Sequence, residues 1–237
     1  MTNNSSRILV TGGTAGIGLA TAALLLRKGS RVFICGRNKN RLVEALVHLQ
    51  GIAGPENVSG TQCDVGNYDE AAAMVARAVD FLGVLDALVN SAGVATVAPF
   101  EKLSPEDWQT MLNVNLTGVF NCCKAAVPAL KKSDHPNIIN LGSRAGRYAF
   151  AGGTGYNTTK FGLQGFSEAL FLDLNQHGIG VSLVAPSTVE TGLVDVRDEG
   201  WNLQPEDVAK VIVDLLGNDK RANVNWVEIR SGLPRQN

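Results

Sequence analysis

Short runs of nearly unbroken apolar residues alternate along the chain with longer stretches in which apolar positions recur every three or four residues. Residues 7–11, 31–35, 58–63, 86–90, 137–141, 179–185 and 226–230 read as strands. They are continuous rather than alternating in apolar character, as expected of parallel strands covered on both faces. Between them, Ala71, Met74, Val75, Ala78, Val79 and Leu82 keep a helical rhythm, as do Val208, Val211, Ile212, Leu215 and Leu216. Pro205-Glu206-Asp207 reads as a helix start with proline in its first turn. Strand and helix alternating in this way predict βαβ units with right-handed crossovers, hence a doubly wound parallel α/β sheet. The sequence shows no internal repeat, low-complexity segment or Gly/Ser linker. Its 237 residues suit a single domain over 1–237, because α/β folds run to about 200–250 residues as one unit.

Composition narrows the function classes. A formal net charge of −1 gives no global pull toward nucleic acid or an anionic membrane, and no basic-aromatic stripe appears. No apolar run reaches the ~20 residues needed to cross a bilayer, and the polar stretch 1–6 lacks the pattern of a secretory signal. Cys35, Cys63, Cys122 and Cys123 read as reduced structural thiols, and a cytoplasmic location is expected. His48, His135 and His177 are isolated in sequence, so no metal site is expected.

The first strand runs into Thr11-Gly12-Gly13-Thr14-Ala15-Gly16-Ile17-Gly18 and then a helix. A helix N-terminus offers unpaired N–H groups and a partial positive charge, which together suit a pyrophosphate. Gly12, Gly16 and Gly18 let the backbone turn tightly and approach the phosphates. The second strand ends Cys35-Gly36-Arg37-Asn38, with no carboxylate to take a ribose 2′-hydroxyl and with Arg37 able to take a 2′-phosphate. NADP(H) is therefore expected in preference to NAD(H), the alternative being that Arg37 is merely a solvated residue at a helix start.

Tyr156 and Lys160 stand four apart, a spacing that places both on one face of a helix. A cation beside the phenol would lower its pKa from ~10 and make it an acid/base near neutrality. Ser143 lies at a strand end, and Asn115 in a helical stretch after Asn90-Ser91-Ala92-Gly93. Taken together, these segments make the chain resemble the short-chain dehydrogenase/reductase family over essentially its whole length. Thr11 to Gly18 is similar to that family's T-G-x-x-x-G-x-G, Asp64-Val65 to its adenine-contacting pair, and Asn90 to Gly93 to its N-N-A-G, with Ser91 in place of the second asparagine. Pro186-Ser187-Thr188-Val189-Glu190-Thr191 resembles its P-G-x-V-x-T segment.

The resemblance implies a Rossmann-like sheet of seven strands in the order 3-2-1-4-5-6-7, with three helices on each face. It implies that Tyr156 exchanges the proton with the carbonyl or alcohol oxygen and that Ser143 donates to that oxygen. Lys160 would lower the Tyr156 pKa and bind the ribose, and Asn115 would fix a water beside Lys160. Gly12, Thr14, Gly16, Ile17, Gly18, Arg37, Asp64, Val65, Asn90, Ala92, Gly93, Pro186, Val189 and Thr191, with Tyr156 and Lys160, are the expected cofactor residues. The stretch 1–133 would be mainly the cofactor half and 134–237 the catalytic and substrate half. A homo-oligomer, tetramer or dimer, is implied through the helix around 104–132 and the helix bearing Tyr156. Val114, Val119, Phe120, Phe161, Phe166 and Leu170 would serve either that interface or the core.

The chain departs from the family pattern at Gly142, where a second serine is common, and at Ser187, where glycine is usual; serine would be strained there if the position needed positive φ. Residues 192–204 should form a short lid, with Leu193, Val194 and Trp201 facing substrate or docking the lid on the body. Arg144 and Arg147 follow Ser143 directly. Arg147 is a candidate to grip a substrate carboxylate or phosphate, with solvent exposure or an ion pair as the alternative. The expected activity is NADPH-dependent reduction of a ketone to a secondary alcohol, 3-oxoacyl or another β-keto compound first. The alternatives are oxidation of a small hydroxy acid or polyol, and a nicotinamide-binding regulator without turnover.

Overall fold

The computed structural model describes residues 6–193, 201–219 and 221–232. Among these, seven parallel strands form one sheet: β1 (Arg7–Thr11), β2 (Arg31–Gly36), β3 (Val58–Gln62), β4 (Ala87–Asn90), β5 (Asn137–Leu141), β6 (Gly180–Pro186) and β7 (Trp226–Ile229). Their order is β3-β2-β1-β4-β5-β6-β7, as expected. The central strands are continuously apolar through their middles because both faces are covered: Ile8, Leu9, Val10, Leu88 and Val89 are all fully buried.

The helices are α1 (Gly16–Arg27), α2 (Lys39–Ala53), α3 (Tyr68–Leu82), α4 (Pro105–Leu112), α5 (Gly118–Leu130), α6 (Thr154–Leu174) and α7 (Pro205–Leu216). On one face, α1, α2 and α7 bury Leu25, Leu42, Val208 and Ile212 against Ile8, Val10 and Ile34. On the other, α3, α5 and α6 bury Met74, Cys122 and Leu163 against Leu9, Phe33 and Leu88. Each such buried aliphatic side chain stabilises the fold by about 1.5–3 kcal/mol before entropy is counted. The apolar rhythm read in 71–82 is the buried face of α3. α7 begins at Pro205, and Gln204 and Asp207 close a capping box around that start.

The region read as one helix around 104–132 is two helices joined by a π-helical turn, Asn113–Thr117. Within it Val114 and Val119 are core residues, whereas Phe120 and Phe161 are about half exposed. Phe166 and Leu170 are partly buried against the core. No described helix is long and apolar enough to cross a membrane, and no group of three or more His, Cys, Asp or Glu among the described residues could hold a metal. The strand order reverses between β1 and β4, successive strands being added on one side of β1 up to β3 and on the other from β4 onward, so a crevice opens at the carboxyl ends of the strands there.

Candidate active site

A cleft of about 1000 Å³ occupies that crevice. Its near end is made of backbone. Gly12 has φ +64°, and a Cβ there would come within 2.8 Å of the Ala92 backbone. A Cβ on Gly18 would lie 2.3 Å from the Gly12 carbonyl oxygen, so the turn and the first turn of α1 can close on each other only through glycine. The loop after β4 is tied to this turn, because the Ser91 and Ala92 N–H groups donate to Thr11 Oγ1 at 3.1 and 3.2 Å. Ala15 caps α1 without a side-chain hydrogen bond, and the first turn holds no acidic residue. The helix end therefore presents its N–H groups to the cleft, which Gly12, Thr14, Gly16 and Ile17 line.

Arg37 is exposed and lines the cleft at the end of β2. It also borders a smaller recess with Asp64, Gly66 and Asn67. Two neighbours escaped the sequence reading. Asn38 caps α2 by accepting from the Arg41 N–H, and Arg41, one turn into the helix, lines the cleft beside Arg37. The Asn-x-x-Arg spacing was the available signal. Val65 lines the cleft, whereas Asp64 lines the recess and accepts from the Gly66 N–H through Oδ1 at 3.0 Å. Ala92, Gly93, Pro186, Val189, Thr191 and Leu193 all line the cleft. Val194 and the lid residues 195–200 lie outside the described residues, and Ser187 needs no positive φ, since no described non-glycine residue has one.

The far end is made of side chains. Ser143 follows β5, and its Oγ accepts from the Ala145 N–H at 3.1 Å. Tyr156 projects from the first turn of α6 and Lys160 from the second, and all three residues line the cleft. Lys160 is buried and its Nζ donates to the Leu141 carbonyl at 2.8 Å. Burial lowers the Lys160 pKa to about 8. The lowered Tyr156 pKa expected from Lys160 is not what the protein's own groups produce. Burial raises it, against a smaller lowering by a hydrogen bond with Ser143. Lys160 Nζ stands 5.6 Å from the Tyr156 ring centroid and is engaged with Leu141.

Three expected residues sit elsewhere than expected. Asn115 is buried in the π-helical turn, where its Oδ1 accepts from the Val94 N–H and its Nδ2 donates to the Val94 carbonyl, both at 2.8 Å, and to Thr159 Oγ1 at 3.1 Å. With both amide protons taken, its side chain acts as a clamp between the loop after β4 and the residue next to Lys160. A π-helical turn displaces a side chain out of α-helical register, which lets Asn115 reach both. Asn90 does not line the cleft; its Nδ2 donates to Asn140 Oδ1 at 2.9 Å, and Asn140 Nδ2 donates to Ser167 Oγ at 2.9 Å, a buried network under the site. Arg147 does not line the cleft either, and its guanidinium lies over the Trp226 and Tyr148 rings at 5.3 and 5.7 Å. Arg144, Tyr148 and Phe150 line it instead. The two aromatics carried no sequence signal, since only the fold brings their loop to the mouth.

The sequence profile of short chain dehydrogenases matches residues 6–201. A Streptomyces coelicolor protein named for ketoacyl reduction is 34% identical over 241 residues, spanning 91% of this chain and 92% of its own. A 3-dehydrosphinganine reductase of Arabidopsis thaliana is 40% identical over 187 residues, 78% of this chain and 55% of its own. The closed form of a serine dehydrogenase complexed with NADP+ superposes with a TM-score of 0.85 at 33% identity, covering 94% of this chain and 93% of that one. The chain belongs to the short-chain dehydrogenase family and is an oxidoreductase.

Proposed function

We propose that the protein reduces a ketone to a secondary alcohol with NADPH, residues up to 133 serving mainly the cofactor and those from 134 the substrate. The observation that carries this reading is the convergence of the Ser143 and Tyr156 hydroxyls on one cleft, with the phenol held protonated by burial. A protonated phenol is the form that donates to a carbonyl oxygen as negative charge develops there. Ser143 adds a second donor to that oxygen, and Lys160, mostly cationic below its pKa of about 8, favours the phenolate that forms as Tyr156 gives up its proton. Asn115 is a positioning residue that acts through Thr159.

The near end fits a phosphorylated dinucleotide. The uncapped N-terminus of α1 suits the pyrophosphate, and Arg37 with Arg41 suits a 2′-phosphate, with no carboxylate lining the cleft among the described residues. When bound, the nicotinamide supplies the hydride. The NADP+ carried by the serine dehydrogenase neighbour and the ketone reductions named in two relatives support the same reading. Preference for NADPH over NADH, cytoplasmic location and assembly as a homo-oligomer belong to this proposal, the last helped by half-exposed Phe120 and Phe161.

The test is NADPH consumption across β-keto esters and thioesters, keto acids, diketones and cyclic ketones, with Tyr156→Phe as the blank. Turnover that vanishes in the blank is the expected result. NADPH binding without turnover of any carbonyl, or of any alcohol with NADP+, would overturn the reading in favour of a nicotinamide-binding regulator.

A further inference from the structure

Four charged side chains line the cleft among the described residues: Arg37, Arg41, Lys160 and Arg144, and no Asp or Glu joins them. The proposed function uses the first three. Arg144 is the cation it leaves unused, and it is the residue next to Ser143.

Its surroundings are positive. Glu228 on β7 is the carboxylate that pairs with it, and Glu228 is shared with Arg230. Arg147 makes no ion pair among the described residues and rests on Trp226 and Tyr148. The Arg144 and Arg230 guanidiniums also lie over the Tyr148 ring, at 5.0 and 5.9 Å. Three guanidiniums thus gather around the Tyr148 ring, and one carboxylate, Glu228, pairs with two of them. Arg144 is also poorly satisfied. Its Nε is 3.1 Å from Glu228 Oε1, yet it is buried and makes no hydrogen bond. Ser187 Oγ, on the same cleft, is likewise buried without a partner. Ser187 sits beside this cluster, because its N–H donates to the carbonyl of Ile229, between Glu228 and Arg230. Buried polar atoms left unpaired carry a cost that a matching ligand removes. A planar guanidinium fork with a hydroxyl beside it matches a carboxylate.

We propose that Arg144 receives a carboxylate of the substrate, so that the ketone reduced here is an oxo acid whose acid group lies a few bonds from the carbonyl. Ser187 Oγ donates beside Arg144, and Arg147 and Arg230 keep the surrounding field positive. This rests on the ketone-reduction reading of the same cleft and narrows it to anionic substrates.

The experiment compares 2-, 3- and 4-oxo acids with their methyl esters, in the wild type and in Arg144→Gln, by NADPH consumption, with NADPH affinity from fluorescence titration as the folding control. For at least one pair the wild type should favour the acid over its ester by tenfold or more in kcat/KM. Arg144→Gln should raise KM for that acid by roughly 10- to 100-fold, the equivalent of one charge-assisted hydrogen bond, and leave the ester within about threefold. Esters turned over as well as acids by the wild type, or equal losses on both in the variant, would overturn the inference while leaving the reductase reading intact. NADPH binding without turnover of either member of any pair overturns both. Should Arg144→Gln lose NADPH affinity, the wild-type acid-to-ester ratio decides alone.

Discussion

The two ends of the cleft are built from different materials. The near end, between β1 and α1, consists of main chain: glycines at which an added Cβ would lie 2.3 or 2.8 Å from neighbouring backbone, and a helix end left uncapped. The far end consists of side chains brought from separate elements, with Ser143 after β5, Tyr156 and Lys160 on α6, Arg144 beside them and Asn115 clamping from a π-helical turn. The near end is closely packed at Gly12 and Gly18, where nothing larger than hydrogen fits. The far end is held by hydrogen bonds and burial, which tune its protonation. A backbone site fails through added volume, and a side-chain site through altered chemistry with the fold intact.

The sharpest division comes from Tyr156→Phe. Losing a general acid should reduce turnover by roughly 10²- to 10⁴-fold, while the NADPH dissociation constant stays within about twofold, as read by steady-state rates and fluorescence titration. Gly18→Ala should do the reverse. A methyl 2.3 Å from the Gly12 carbonyl oxygen forces the turn apart, which should weaken NADPH binding roughly 10- to 100-fold with no change in substrate preference. Unaltered affinity in that variant would mean the turn is looser than its contacts imply. Arg37→Asp should weaken NADPH by roughly tenfold or more and leave NADH nearly unchanged or improved, because only the 2′-phosphate meets the new charge. Equal effects on the two cofactors would shift the role to Arg41.

The smallest expected effect concerns stability. Burial lowers the folded-state pKa of Lys160 to about 8, below the ~10.4 of an unfolded lysine. Between those values the unfolded chain binds more protons than the folded one, so this group's contribution to stability grows as pH rises through 8 and diminishes as pH falls back below it. Relative to Lys160→Met, the wild type should gain about 1 kcal/mol between pH 7.5 and 9 in urea unfolding. A difference that does not change with pH would show that Lys160 is solvated in the folded protein.

The strand and helix pattern was legible in the residues because both faces of a parallel sheet must be apolar, and α3 and α7 show their buried stripe directly. The glycine turn was legible for the same kind of reason, since its chemistry is local and its spacing is its function. Ser143, Tyr156 and Lys160 could be picked out by resemblance, but nothing in their spacing shows that they share a cleft. Tertiary structure alone decided that Asn90 faces Asn140 under the site rather than the cleft, and that Asn115 spends its amide on Val94 and Thr159. It also decided that Arg144, and not Arg147, lines the cleft, because the turn after Ser143 sends one guanidinium inward and lays the other on Trp226. Sequence determines what each backbone segment can do by itself, since that depends on neighbours along the chain. Which side chains meet, and with what pKa, depends on burial and on partners from distant segments, and only the packed fold supplies those.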